Sequence, residues 1–171
     1  MHKRLNSIFF ALLIAVLVVM PVYAGAVSGN IGLGSITFTG WAAGFSRDAV
    51  TVTLSAKGIP VISCYNPGKE LWVSGQNPVP VTGETSATYS PTFDENGKFD
   101  INLEAQPNIL NFTPKQLGCP NNNWKVRVDF VYWTYAKLTV TENSTGDVVW
   151  QKESSCTTTR NPDEISCPAF E

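Results

Sequence analysis

The stretch Trp124–Thr141, WKVRVDFVYWTYAKLTVT, constrains the fold more than any other part of the chain. It is the longest run rich in β-branched and aromatic residues, which suit the pleated, half-buried surface of a sheet. Trp124, Val126, Val128, Phe130, Tyr132, Ala136, Leu138 and Val140 hold even positions, and Lys125, Arg127, Asp129, Lys137 and Thr139 hold odd ones. A period of two turns the first set toward a core and the second toward solvent. At 18 residues the stretch exceeds an ordinary strand, so a bulge, bend or turn is expected between Val131 and Tyr135, giving two strands.

The start of the chain points to export. Basic His2, Lys3 and Arg4 precede the apolar run Ile8–Met20, and Val22-Tyr23-Ala24 brings small residues to a cleavage position. This order reads as a signal peptide over residues 1–24, cut after Ala24 or, as the alternative, after Ala26. The apolar run is shorter than the roughly 20 residues of a spanning helix, and Pro21 breaks it. The expected product is 25–171, a single secreted, extracellular β domain of 171 − 24 = 147 residues. A chain of that size buries roughly 68% of its unfolded surface in one core. Cleavage removes two of twelve basic residues and no acidic one, so the charge becomes 10 − 14 = −4. That balance disfavours nucleic acid and anionic membrane as partners, and no membrane insertion is expected after cleavage.

All four cysteines, Cys64, Cys119, Cys156 and Cys167, fall in the exported part. An oxidising compartment favours two disulfides. Three pairings are open; Cys64 with Cys119 and Cys156 with Cys167 is preferred, because the second pair closes the tail locally. No Cys-x-x-Cys occurs, and the single histidine lies in the signal segment, so no metal centre and no cofactor is expected.

Along the chain, turn residues separate short alternating runs. Gly34–Trp41 reads as a first strand. Ala49–Ala56 and Ile59–Tyr65 read as a hairpin turned by Lys57-Gly58. Residues 66 to 80 carry Pro67, Gly68, Gly75, Pro78 and Pro80 and read as loop, in which Trp72 either folds back over the core edge or stands out as a binding residue. Val79–Tyr89 forms a further strand, and Asn96-Gly97 turns into an alternating strand from Phe99. Thr113-Pro114 can cap a short helical turn. Asn143–Asp147 makes a turn before a last strand, Asp147–Lys152, and the tail is irregular. Seven to nine such strands point to an all-β, immunoglobulin-like or transthyretin-like two-sheet sandwich; a closed barrel is the alternative.

Three pieces, Cys64-Tyr-Asn-Pro-Gly68, Gly75-Gln-Asn-Pro78 and Cys119-Pro-Asn-Asn-Asn-Trp124, together resemble a group of small secreted bacterial β-sandwich proteins of unknown function. The resemblance extends to about Gly146 and implies the Cys64–Cys119 pairing, with Cys156 and Cys167 as an addition. Asp94-Glu-Asn-Gly-Lys-Phe99 is similar to a turn of carboxypeptidase-regulatory-like sandwich domains. Neither resemblance implies an activity.

Catalysis by Ser or Cys needs a nearby base, usually histidine, and none remains after processing. A pair of carboxylates is the other route, but Glu70, Glu84, Glu104 and Asp129 carry no distinguishing context, so no enzyme is expected and a carboxylate-based hydrolase is disfavoured. Asp94, Asn96 and Asp100 supply oxygen ligands around a turn, a calcium candidate that hairpin geometry explains equally well. The candidate ligand-binding residues are Trp133, Tyr135 and Trp72. In strict alternation Trp133 and Tyr135 face outward beside Lys125, Arg127 and Asp129; a phase change after Val131 would instead take them into the core. The expected function is a non-catalytic binding or surface-interaction module for a protein or glycan ligand. Carbohydrate binding through exposed aromatics and a structural or adhesive role are the alternatives.

Overall fold

The computed structural model describes residues 27–30, 35–43, 45, 49–90, 99–158 and 165–168. The expected signal segment 1–24, Ala26, Asp94 and the Asn96-Gly97 turn lie outside these residues. Ten strands run in chain order: β1 Val27–Asn30, β2 Ser35–Ala42, β3 Val50–Asn66, β4 Leu71–Ser74, β5 Val81–Tyr89, β6 Phe99–Ala105, β7 Lys125–Glu142, β8 Val148–Ser155, β9 Thr157–Thr158 and β10 Ile165–Ser166. No α-helix occurs among the described residues. The protein is all-β, built from antiparallel sheets, with disulfides Cys64–Cys119 and Cys156–Cys167 as expected.

The long pair β3–β7 is the spine. It is antiparallel from Val50 opposite Glu142 to Tyr65 opposite Lys125. On the other edge of β3, β5 pairs with Val50–Gly58 and β4 with Ser63–Asn66. Beyond β7, β8 completes a five-stranded sheet. Pro60 falls in the interval between β5 and β4, where β7 is the strand neighbour of β3 among the described residues and a missing N–H costs least.

The even residues of β3, from Val50 to Cys64, all point inward and are buried. Over the Val50–Ala56 half they meet the second sheet, β1-β2-β6, through Ile36, Phe38, Ile101, Leu103 and Ala105. Two sheets sharing one core is the arrangement of a sandwich, and each fully buried aliphatic or Phe side chain stabilises it by about 1.5–3 kcal/mol. Over the Ile62–Cys64 end no strand among the described residues covers the spine. There Ile62 and Cys64 pack with Leu117 and Cys119 from the proline-rich segment after β6, in a second small core joined by Val126 and Val128. Backbone bonds from Gln76 to the Gly118 carbonyl and from Val79 to the Gln116 carbonyl tie that segment to the chain between β4 and β5. The disulfide then closes a separation of 55 residues, worth on the order of 4 kcal/mol in the chain-entropy view. Thr113 and Gln116 cap the turn as expected, with Leu117 N–H bonded to Thr113 O at 3.1 Å, but the segment remains a turn and not a helix.

Three expectations are corrected. Lys57-Gly58 is not a hairpin turn; β3 passes through it without a break. Glycine is needed there for space, since a Cβ would lie 2.6 Å from Val131 Cγ1 and 2.8 Å from Tyr132 O. The Leu71–Val73 stretch is not a loop. It forms β4, joined to β3 by a turn in which Asn66 Oδ1 accepts from Gly68 N–H. Finally, the bulge expected between Val131 and Tyr135 is present, at Thr134, but β7 is not divided by it into two strands. It runs for 18 residues, and its pairing with β3 slips twice, between Val61 and Ile62 and between Lys57 and Gly58. Asp129 and Thr134 are the extra residues, each without an opposite partner on β3.

Candidate functional site

Each slip exchanges the faces of β7. Before Asp129 the even residues Val126 and Val128 face inward; between the slips the odd residues Val131 and Trp133 do; after Thr134 the even residues Ala136, Leu138 and Val140 resume. Trp133 is therefore core, at 1% exposure, and cannot present an aromatic surface. Its indole has room because two glycines face it. A Cβ on Gly58 would stand 3.1 Å from Cε3, and one on Gly83 2.9 Å from Cη2. The Trp133 carbonyl accepts from Thr158 Oγ1, so the disulfide-closed β9–β10 tail covers this part of the spine.

The solvent face of the five-stranded sheet holds what the inward turn of Trp133 leaves out. Odd residues of β3 lie opposite outward residues of β7: Lys57 by Tyr135, Ile59 by Tyr132, Val61 by Phe130, Ser63 by Arg127 and Tyr65 by Lys125. On β4, Trp72 lies opposite Tyr65. Ile59 and Trp72 are 45% and 46% exposed. The register thus sets one row of rings and aliphatic groups along the spine, from Trp72 to Tyr135. The row runs along β3 from Lys57 to Tyr65, nine residues and about 26 Å at strand rise.

Within the row the rings touch one another and cations. Tyr65 and Trp72 have centroids 5.3 Å apart, and Phe130 meets Tyr132 edge-on at 4.8 Å. The Arg127 guanidinium lies 4.8 Å from the Trp72 centroid, Lys125 Nζ 5.7 Å from Tyr65, and Lys57 Nζ 5.5 Å from Tyr135. These are cation–π distances. The acids beside them are engaged. Asp129, displaced outward by its bulge, pairs with Arg127 Nε at 2.7 Å and accepts from Ser63 Oγ. Glu153 accepts from Tyr135 Oη at 2.6 Å, and this bond, with lesser help from burial and from the Glu153 charge, holds the Tyr135 hydroxyl above its ordinary pKa.

Of the three residues singled out in the sequence, Trp72 and Tyr135 thus lie on this face, at opposite ends, and Trp133 lies beneath it. Sequence reasoning missed Tyr65, Ile59, Val61, Phe130 and Tyr132. The alternation of β3 would have revealed the first three had the Lys57-Gly58 turn not been assumed. Asp100, the described member of the proposed calcium set with its side chain in view, is exposed on β6 opposite Trp41. Among the described residues no three of His, Cys, Asp and Glu gather as metal ligands. Nor is any helix among them long and apolar enough to cross a membrane.

The molecule is an all-β, doubly disulfide-closed protein carrying an aromatic and cationic row on the solvent face of its larger sheet. No protein-family model matches the chain, and no curated protein matches it. Among solved structures, a β-glucuronidase of Bacteroides uniformis is similar over 78% of this chain and 13% of its own, at 11% identity and a TM-score of 0.34. A second, Bacteroides uniformis β-glucuronidase 2 covalently bound to cyclophellitol-6-carboxylate aziridine, is similar over the same shares at 12% identity and a TM-score of 0.33. The chain therefore spans only a small part of the enzymes it matches.

Proposed function

We propose that the chain is exported, matures by loss of residues 1–24, and acts outside the cell as a non-catalytic binding module. Its ligand rests on the solvent face of the five-stranded sheet. The observation that carries this reading is the continuous row Trp72, Tyr65, Val61, Phe130, Ile59, Tyr132 and Tyr135, set in line by the register of β3, β4 and β7. Tyr, Trp, Phe and Arg are the residues that concentrate binding energy at recognition surfaces, and a cluster of them on one sheet face is more than scattered surface apolarity. The paired cysteines accord with an oxidising compartment. A non-catalytic role fits the chemistry of the face, where the carboxylates Asp129 and Glu153 are held by Ser63, Arg127 and Tyr135.

The test is a binding screen of the purified, oxidised protein on polysaccharide and extracellular-protein arrays, repeated with Phe130→Ser and with Glu104→Gln. The first substitution lies in the row, and the second lies on the smaller sheet. The reading requires at least one ligand lost with Phe130→Ser and kept with Glu104→Gln. A protein that binds nothing, or binds equally after both substitutions, refutes it.

A further inference from the structure

Deepening that reading, and resting on it, we infer that the ligand is an acidic polysaccharide whose sugar units carry carboxylates, a polymer of uronic acid. The row does not offer rings alone. It repeats one combination three times, a ring with a cation against it: Trp72 with Arg127, Tyr65 with Lys125, and Tyr135 with Lys57. A uronic acid unit has the complementary pair, an apolar C–H face that packs on an aromatic ring and a carboxylate that takes a cation. A chain of such units repeats that pair, as the row does.

The cations are placed to be used. Asp129 takes Arg127 through Nε, which leaves the two terminal amino groups of the guanidinium for a planar, two-oxygen acceptor. Lys125 and Lys57 touch rings and, among the described residues, make no ion pair. The Asp129 charge is countered by Arg127, while Glu153 keeps its charge at the Tyr135 end of the row, so an incoming carboxylate is favoured at the end that holds Trp72, Arg127, Tyr65 and Lys125. Aromatic rings set the geometry of the complex and cations select the charge. A neutral glycan would use only the first, and an acidic peptide would lack the flat repeating face.

The experiment uses polygalacturonate and the same polymer after full methyl esterification, which keeps the sugar face and removes the charge. Binding to the oxidised protein is measured by affinity electrophoresis and calorimetry at two salt concentrations, with Trp72→Ala and Lys125→Gln compared after their folding is checked by circular dichroism. The acid polymer should bind about tenfold or more tighter than the ester, as loss of a charge-assisted contact implies. It should weaken with salt and lose about tenfold with either substitution. Equal affinity for acid and ester overturns the inference while leaving a neutral-glycan module standing. Dextran sulfate bound as tightly and untouched by Trp72→Ala would reduce the face to bulk charge and also overturn it. No retardation by any of the polymers refutes the acidic ligand; the array screen then decides whether the broader reading survives.

Discussion

Gly83 and Trp133 are in close approach: a Cβ on the glycine would stand 2.9 Å from Cη2 of the indole. Gly58, opposite Trp133 on β3, approaches the same ring, where a Cβ would stand 3.1 Å from Cε3. Adding a methyl group at Gly58 drives it against Val131 and the Tyr132 carbonyl, and backbone cannot rotate away. Gly58→Ala should therefore lower stability by about 1–3 kcal/mol, the usual cost of overpacking. Gly146 has no neighbour within 4 Å of such a group; Gly146→Ala should cost only the strain of a positive φ, on the order of 1 kcal/mol. Urea unfolding of the two variants gives the comparison, and equal midpoints would refute the packing account.

Removing the indole exposes the opposite defect. Trp133→Ala should cost about 3–5 kcal/mol through lost burial and the cavity left behind. Trp72→Ala, at a half-exposed position on β4, should stay within about 1 kcal/mol. Fluorescence separates them independently: iodide should quench the emission that Trp72→Ala removes and spare the emission that Trp133→Phe removes.

The two disulfides fasten different covers of the spine. Cys64→Ser with Cys119→Ser should release the proline-rich segment over Ile62 and Leu117, at a cost of about 2–5 kcal/mol, and make residues between Pro107 and Asn123 the first sites of proteolysis. The disulfide removed by Cys156→Ser with Cys167→Ser closes a shorter separation of 11 residues, and its loss should cost about 3 kcal/mol or less. Limited proteolysis followed by mass mapping distinguishes the two. Cleavage at the same place in both double variants would contradict separate covers.

Tyr135 supplies a pH signature. Its folded pKa is raised above the ordinary tyrosine value of about 10, first by the bond to Glu153, then by burial and by the Glu153 charge. The unfolded chain loses this proton at lower pH than the folded one, so the stabilisation is whole below about pH 10 and is lost as pH rises through the folded pKa. Absorbance titration should find one tyrosine ionising late, and Glu153→Gln should move it back. An unchanged titration curve would show that the bond does not form in solution.

Much of this fold was legible from alternation and turn chemistry. Val50, Val52 and Leu54 against Thr51, Thr53 and Ser55 mark β3 without ambiguity, and Asn143–Asp147 forms the expected turn, closed by Glu142 N–H to Asp147 O at 2.9 Å. The misreading at Lys57-Gly58 has a definite cause. A glycine can mean a turn or a close approach, and at Gly58 the neighbours that decide which, Val131, Tyr132 and Trp133 of β7, are remote in sequence. The length of the run announced the bulge at Thr134, between Val131 and Tyr135, whereas the one at Asp129, which sets the inward phase of Trp133 from the other end, has no such signal. Once the hairpin at Lys57-Gly58 was assumed, Ile59, Val61 and Tyr65 lost the alternation that would have placed them on the solvent face.

Each bulge also absorbs its own extra residue. Paired residues share a face, so without Asp129 or without Thr134 every remaining residue of β7 from Lys125 to Thr141 would still face its present β3 partner. In the language of genetics, each insertion carries its own suppressor, the local bend that takes it up. Deleting Thr134 alone, or Asp129 alone, should therefore leave inside and outside unchanged, and a lineage could gain or lose either bulge independently of the other.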